Sequence, residues 1–296
     1  QASQECFGGL TIPDYHFDKA RVIVSFGADF LGTWISPIEY AADYIVNRKI
    51  EEVDGASMSR HYQVESHMSL TGSNADNRIL VRPSEQGAAI VTLYNAVAAQ
   101  TGGQRVSGPS LSEDKAAKLE RVAEELLANR GASLVVSGSN NVGEQVLINA
   151  INRLLDSYGN TITYEHASLQ RQGLDADIQN LIQEMNAGTV DAVFVFDGAN
   201  PAYDLPNAAE FRSGMEQVGL KVSFSGLPNE TMALCDYVLP THHYLESWGD
   251  AMPKIGHFSL IQPTIRPLFN TRQTEETLLR WAGDGIRGFD PAAEQP

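Results

Sequence analysis

The chain has 296 residues, of which 43% are hydrophobic and 20% are charged, so it can form one large or two medium globular domains with buried cores. A formal net charge of -16, without clustered Lys and Arg, argues against binding to nucleic acid or to an anionic lipid surface. No apolar run approaches the roughly 20 residues of a transmembrane helix, so we predict no direct membrane span.

The first half of the chain alternates strand-length apolar runs with amphipathic, helix-length runs. The first of these helices has apolar residues at Ile38, Ala42 and Ile45, which is helical spacing. We predict strands at 21–26, 62–64 and 79–81 and helices at 37–48 and 84–100, with Ser84 as the N-cap of the second helix.

The second half continues the alternation after a Gly/Pro/Ser-rich stretch at 106–112, which predicts an interdomain boundary. We predict strands at 132–136, 161–164, 191–196, 221–225 and 237–239 and helices at 113–129, 144–158, 174–186 and 207–219. Beyond Pro240, prolines limit regular structure, so we predict only one further helix at 275–282 and a tail at 284–296.

This alternation of strands and helices predicts an α/β fold with two Rossmann-like parallel-sheet subdomains. The first subdomain is predicted at 1–108 and the second at 109–250. An irregular C-terminal extension is predicted at 251–296.

Two stretches of the chain carry the same types of residue in the same order. The first has Gly27-Ala28-Asp29, Thr71, Asp76 and Pro83, and the second has Gly198-Ala199-Asn200, Thr231, Asp236 and Pro240. The order is shared, although the Thr-to-Pro spacings differ. We interpret it as an internal duplication of one strand-helix-strand unit; the alternative is the chance similarity of two ordinary crossover units.

The polar turn at 137–143 is the feature most typical of a phosphate site, because it is bounded by glycine and lies between a predicted strand and a predicted helix. Ser139, Asn140 and Asn141 are its polar residues. The turn matches neither the Walker A motif nor the GxGxxG motif, so an ordinary polar turn is the competing interpretation.

Acid–base and metal chemistry have few candidates. Asp29, Asp197 and Asp236 lie near strand ends and could act as acid–base carboxylates, although Asp at such positions also caps the next turn or helix. His242 and Glu246 would share a face of a helix and could bind a metal, but no third ligand follows at matching spacing. The two cysteines, Cys6 and Cys235, provide no ligand set for zinc or an iron–sulfur cluster.

The residues 198–201, Thr231, 236–240, Glu246 and Gly249 resemble the cofactor-cradling domains of the molybdopterin oxidoreductase (DMSO reductase) superfamily. The amino-acid sequence is more similar to the large iron–sulfur subunit of alternative complex III, a quinol-oxidising respiratory membrane complex, in four segments: 24–34, 69–76, 239–250 and 262–269. The resemblance therefore spans nearly the whole chain and implies Rossmann-like subdomains of the molybdopterin oxidoreductase type.

The resemblance to alternative complex III implies a scaffold that has no cofactor and no catalytic residue of its own. It implies iron–sulfur clusters and haem c in neighbouring domains or subunits. The expected partners are the cluster-bearing and cytochrome c subunits of a membrane-bound complex, and the expected location is the periplasmic side of the bacterial inner membrane. An acidic chain would also attract a basic carrier protein, although acidity serves solubility as well.

The sequence departs from active molybdopterin enzymes at two places. Cys6 lies too close to the first strand to match their metal ligand, and 253–257 replaces their Asn-x-Glu-Gly-Arg element. The remaining candidates for a vestigial cofactor pocket are the polar loop residues Asp29, Ser139, Asn140, Asn141, Asn200 and Thr231. Two alternatives stay open: a fragment of an active molybdopterin-dependent oxidoreductase, and a freestanding nucleotide- or sugar-phosphate-binding protein.

Overall fold

A computed structural model of the chain describes residues 1–9, 11–50, 53–170 and 172–283. The chain divides into two compact units, of which the first comprises residues 1–170 and 253–257 and the second 171–252 and 258–296. Within the described residues, no helix is long and apolar enough to cross a membrane.

The first unit is built on a parallel sheet. Its strands in chain order are Ile12–Tyr15 (β1), Val22–Phe26 (β2), Arg60–Glu65 (β3), Asn77–Leu80 (β4), Ser133–Ser137 (β5) and Ile162–Ser168 (β6). Its helices are Ala2–Phe7 (α1), Pro37–Val46 (α2), Leu70–Ser73 (α3), Gln86–Thr101 (α4), Glu113–Ala128 (α5) and Val142–Leu154 (α6). The parallel sheet has the order β4-β3-β2-β5, and β1 pairs with β6 in a separate antiparallel sheet.

Apolar side chains cover both faces of this parallel sheet, as the continuous apolar run of β2 requires. On one face, Phe26 and Val64 pack with Leu93 and Leu119 of α4 and α5. On the other face, Ile23 packs in a cluster with aromatic side chains of α2 and the loops. The strand ends that carry the polar loops are thus fixed from both sides.

The second unit contains a smaller parallel sheet in the order β7-β8-β9. Its strands are Ala192–Val195 (β7), Leu220–Ser223 (β8) and Tyr237–Val238 (β9), and its helices are Asp175–Asn186 (α7), Pro201–Asp204 (α8), Ala208–Gln217 (α9) and Thr274–Ala282 (α10). Its buried core consists of Ile182 and Met185 of α7 packed with Phe211 and Met215 of α9.

A β-hairpin lies in the region that the sequence predicts to be irregular. Gly249–Lys254 (β10) and His257–Ile261 (β11) extend the sheet of β1 and β6 in the order β1-β6-β10-β11. Residues 253–257 at its turn belong to the first unit, where Lys254 pairs with Ser168. The prediction of an irregular segment at 251–296 is therefore wrong for β10 and β11, whereas the helix predicted at 275–282 forms as α10. The predicted tail at 284–296 lies outside the described residues.

The structure also differs from the predicted division at residue 108, because residues 109–170 lie in the first unit. The reason is β5, which pairs with β2 from Val22 opposite Ser133 to Phe26 opposite Ser137. The Gly/Pro/Ser-rich stretch before α5 therefore connects two helices of one unit.

Helix α2 forms where the sequence predicts it but turns its other face to the core. Ile38 and Ile45, which define the predicted apolar stripe, are 86% and 52% exposed. The buried side chains of α2 are Tyr40 and Tyr44 instead. Aromatic residues supply the larger buried area, so the tyrosine face packs inward.

Candidate functional site

The polar loops at the carboxyl ends of the strands form the candidate site, because open parallel sheets bind ligands there. After β2, Gly27 adopts φ 63°, a left-handed conformation that glycine accepts without strain. The chain then turns at Asp29, whose carbonyl oxygen accepts hydrogen bonds from the N–H groups of Gly32 (3.0 Å) and Thr33 (2.8 Å).

The Asp29 side chain is bound by Thr71, in the loop that follows β3. The Thr71 backbone N–H and hydroxyl donate to Asp29 Oδ1 at 2.9 and 2.7 Å. The Thr71 hydroxyl oxygen also accepts the Leu31 N–H at 2.9 Å. Asp29 Oδ1 therefore joins the loop after β2 to helix α3 within the first unit.

The second unit repeats this arrangement with an amide in place of the carboxylate. The Thr231 backbone N–H and hydroxyl donate to Asn200 Oδ1 at 3.1 and 2.9 Å, and the Thr231 hydroxyl accepts the Ala202 N–H at 3.0 Å. Gly198, two residues before Asn200, has φ 84°. The two residues predicted here, Asn200 and Thr231, thus lie together and satisfy each other.

The repeat extends through the strand that precedes each threonine. In the first unit, the His61 N–H donates to Asp76 Oδ2 (2.8 Å) and the Asp76 N–H to the His61 carbonyl (3.1 Å). In the second, Lys221 and Asp236 make the same pair of bonds at 3.0 and 2.9 Å.

Residues 61–76 therefore correspond to 221–236 without a gap, so the shared order of residues is also a shared set of hydrogen bonds. The two prolines lie outside this register, as their different spacings from the threonines indicate. Continuing this register places Pro240 opposite Leu80 and not opposite Pro83.

The turn at 137–143 uses its own backbone donors. The Ser139 N–H donates to Ser137 Oγ, the Asn141 N–H to Ser139 Oγ, and the Glu144 N–H to Asn141 Oδ1, each at 3.1 Å. Asn141 is thus the N-cap of α6, and Asn140 is exposed. Because an anion at a helix N-terminus is held by such N–H groups, the turn has few left to offer.

Two of the predicted loops approach each other closely within the first unit. A Cβ atom built on Gly138 would lie 2.6 Å from the carbonyl oxygen of Gly27, so only glycine fits between these loops. The loop of Asp29 and the turn of Ser139 are therefore neighbours. Asn200 and Thr231 belong to the other unit.

The loops carry no positive charge. The segments 27–36, 137–143, 197–203 and 225–231 contain no Lys or Arg, while Asp29, Asp197 and Glu230 are acidic. A hydrogen bond from Asn200 Nδ2 (2.7 Å) lowers the pKa of Glu230 and keeps it ionised. One cation lies beside the loops of the second unit, because Arg212 of α9 donates to the Ala202 carbonyl at 2.9 Å.

Within the described residues, the polar side chains of these loops bond mainly to one another. The buried side-chain atoms without a hydrogen-bond partner, among the residues described, are Asp18 Oδ1, Ser59 Oγ and Tyr164 Oη, and none belongs to these loops. The same residues contain no group of three or more His, Cys, Asp or Glu side chains that could hold a metal. We therefore assign no catalytic step to these loops.

The acid–base candidates have structural partners. Asp197 Oδ1 accepts the Gly226 N–H at 3.1 Å, and Asp236 and Asp29 are bound as described above. Each of these carboxylates thus accepts hydrogen bonds as a cap of a neighbouring turn, which is the structural alternative to an acid–base role.

The histidine candidates for a metal are also engaged. Glu246 is buried and accepts the His243 and Leu268 N–H groups at 3.2 and 3.1 Å, and His242 Nδ1 bonds to Thr271. Glu246 thus closes a short helical turn, Tyr244–Glu246, as part of a capping box.

Sequence reasoning missed a buried row of polar side chains on β3. His61, Gln63 and Glu65 alternate along the strand, so they share one face, and each is at most 3% exposed. Gln63 accepts from His61 Nε2 (3.2 Å) and donates to Glu65 Oε2 (3.2 Å). The spacing was visible in the sequence, but alternating polar residues normally indicate an exposed face.

Hydrogen bonds hold both ends of this polar row, and burial keeps His61 neutral. Tyr44 Oη bonds to His61 Nδ1 (3.1 Å), and Arg78 Nε donates to Glu65 Oε1 (2.6 Å). Burial lowers the pKa of His61 to about 4. Burial would raise the pKa of Glu65, but hydrogen bonds from Ser69 and Arg78 outweigh it and lower that pKa.

The chain is an α/β protein with a parallel sheet in each of its two units. Acetylene hydratase from Pelobacter acetylenicus has a similar fold, with a TM-score of 0.63 and 13% identity over 95% of this chain and 50% of that chain. No family model matches the sequence.

A curated relative is similar over almost the whole chain. It is the molybdopterin-binding-like subunit of menaquinone reductase from Nitratidesulfovibrio vulgaris, 24% identical over 332 residues, which cover 97% of this chain and 47% of the relative. The chain thus spans about half the length of each of these two proteins. Both similarities support the resemblance to the molybdopterin oxidoreductase superfamily.

Proposed function

We propose that this chain is a molybdopterin-oxidoreductase-like scaffold domain without its own cofactor, in a respiratory complex that exchanges electrons with quinones. The main support is a pair of hydrogen-bonded contacts at the strand ends. Asp29 bonds to Thr71, and Asn200 bonds to Thr231, at positions where a cofactor would need free polar groups. The relative's name, a molybdopterin-binding-like subunit of a menaquinone reductase, supports the link to quinone chemistry.

The finer proposal is a subunit of the alternative complex III type, which oxidises quinol. In this proposal the chain lies on the periplasmic side of the bacterial inner membrane, and its partners carry the iron–sulfur clusters and haem c. The support is the similarity at 24–34, 69–76 and 239–250, together with loops that contain acidic residues and no Lys or Arg of their own. The domain would contribute shape and binding surface.

Metal and pterin analysis tests this proposal on the full-length protein, purified within its complex from native membranes. We expect iron from the partner subunits, but molybdenum and tungsten far below one atom per chain, and no fluorescent pterin after acid oxidation. A purified active molybdopterin enzyme, treated in the same way, controls for cofactor recovery. One molybdenum or tungsten per chain would contradict the proposal.

The principal alternative is that the chain is part of an active molybdopterin-dependent oxidoreductase. It is favoured by one observation, namely that the chain covers 50% of the acetylene hydratase chain, so further parts of a site could come from outside it. The same analysis decides between the two, because only the active enzyme contains stoichiometric metal.

A further inference from the structure

Strand β11 is the open edge of its sheet. It stands last in the order β1-β6-β10-β11, and none of the described residues adds a strand beyond it. All five of its residues, His257–Ile261, are exposed. An open edge presents unpaired N–H and C=O groups, which form a template for a further strand.

Two other edge strands carry a feature that limits further pairing. Asn152 covers the edge of β5 by accepting the Val135 N–H (3.0 Å) and donating to the Val135 carbonyl (2.7 Å). Strand β1, at the opposite end of the sheet from β11, contains Pro13, which has no N–H to offer. Strand β11 itself contains no proline.

Strand β11 also lacks the charges that prevent edge pairing. Residues 255–265 contain no Asp, Glu, Lys or Arg, although the chain as a whole has a net charge of -16. Phe258 and Leu260 lie on one face of the strand and are 73% and 83% exposed. Natural proteins usually place a Lys or a Pro on such an edge when it is to stay free in solution.

Large apolar side chains are exposed on β11 and in the segments before and after it. Between residues 244 and 269, those that are 59% to 83% exposed are Tyr244, Trp248, Phe258, Leu260, Leu268 and Phe269. Together they expose on the order of 800 Å², if an aromatic side chain offers roughly 200 Å². A strand paired with β11 would cover Phe258 and Leu260 among them.

We propose that a strand from a partner subunit pairs with β11 and extends this sheet. The neutral stretch at 255–265 specifies an apolar strand without Lys or Arg, since a basic strand would find no carboxylate at this edge. Backbone hydrogen bonds would fix the partner's register, and Phe258 and Leu260 would pack against its alternate side chains. The inference rests on the proposed role as a subunit of a multi-chain complex.

Hydrogen exchange tests the pairing directly. We expect the amides of residues 257–261 to exchange at least about 10-fold more slowly in the complex purified from native membranes than in the full-length protein expressed alone, because strand pairing protects N–H groups. Equal exchange rates in the two samples would overturn the proposal. Protection in the protein alone with a dimeric mass, or protection by phospholipid vesicles alone, would also overturn it, since the cover would then be a second copy or a membrane.

Two variants test whether a charge on β11 prevents the pairing. Leu260→Lys places a charge on the edge, and we expect it to reduce co-purification of one stoichiometric subunit by about 10-fold or more. Leu227→Lys, at a loop leucine that is 77% exposed, is the matched control and should leave the complex intact. Unchanged composition of the complex with Leu260→Lys would contradict the proposal.

The outcomes separate this inference from the proposed function. A complex without molybdenum whose β11 amides are unprotected would refute the strand pairing alone. A complex with stoichiometric molybdenum and protected β11 amides would refute the scaffold role and leave the pairing intact.

Discussion

Thr71 donates two hydrogen bonds to one oxygen of Asp29, from its backbone N–H at 2.9 Å and from its hydroxyl at 2.7 Å. Thr231 does the same to Asn200 in the other unit. Since a carboxylate and an amide fill the same position, the shared requirement is an acceptor oxygen and not a charge. The duplication has therefore kept a structural contact between two loops.

This equivalence makes a prediction about Asp29. Asp29→Asn should change the free energy of unfolding by less than about 1 kcal/mol, because the amide oxygen can accept both bonds, as in Asn200. Asp29→Ala should cost about 2 to 3 kcal/mol, because Thr71 is fully buried and its two donors would lose their acceptor. Urea denaturation of the full-length protein measures both changes.

A matched pair of threonine variants is the control for Asp29. Thr71→Val and Thr231→Val each remove one hydroxyl that donates to the Asp or Asn and accepts one N–H. Their costs should agree within about 1 kcal/mol because the two sites are equivalent. If Asp29→Asn proved as costly as Asp29→Ala, the negative charge would be essential, and the comparison with Asn200 would fail.

The sequence was sufficient to predict this part of the molecule because the repeated elements are local. Each threonine follows a predicted strand, and each Asp or Asn follows a glycine turn, so the shared order of residues marked both stretches. What the order could not show is that the Asp or Asn and the threonine bond to each other. That outcome depends on how residues 42 and 31 positions apart meet in space.

Each misplaced feature has a physical cause of its own. Helix α2 has apolar residues on both faces, so its periodicity predicts a helix but not which face is buried. The hairpin of β10 and β11 is exposed along almost its whole length, so no alternation of buried and exposed residues marks it. The division at residue 108 failed as a boundary because strand pairing between β2 and β5 is non-local.

The acidic cluster around Asp43 predicts a dependence of stability on pH. Burial, followed by the charges of Asp18, Glu39 and Asp14, raises the pKa of Asp43 to about 6. Because this exceeds the value of about 3.9 in an unfolded chain, the folded state binds more protons between these two pH values. The contribution of Asp43 is therefore complete below about pH 4 and is lost as the pH rises through about 6.

Asp43→Asn should consequently stabilise the protein at pH 7.5. We expect about 1 kcal/mol after allowance for solvent screening, and no stabilisation near pH 4, where the Asp43 side chain is protonated in the folded state. Thermal unfolding from pH 4 to 8 measures the difference. Asp114→Asn, at a surface carboxylate that is 75% exposed, is the control and should have little effect at any of these pH values.

The buried row on β3 depends on the missing side chain of Gly72. A Cβ atom built on Gly72 would lie 1.9 Å from Glu65 Oε1, and that carboxylate is held by Ser69 Oγ at 2.7 Å and by Arg78 Nε at 2.6 Å. Gly72→Ala must therefore displace a buried carboxylate from its donors. We expect a cost of about 2 to 3 kcal/mol, although alanine is the better helix former.

A double-mutant cycle separates this clash from any general effect of alanine at position 72. In the Glu65→Ala background the added methyl group has space, so Gly72→Ala should become neutral or stabilise by up to about 1 kcal/mol. Gly226→Ala is the control, because a Cβ atom there meets no atom within 4 Å. Equal costs of Gly72→Ala in the two backgrounds, measured by urea denaturation, would show that the glycine is required for a reason other than Glu65. A strong coupling would establish that Gly72 is needed so that Glu65 can end the polar row within the folded sheet.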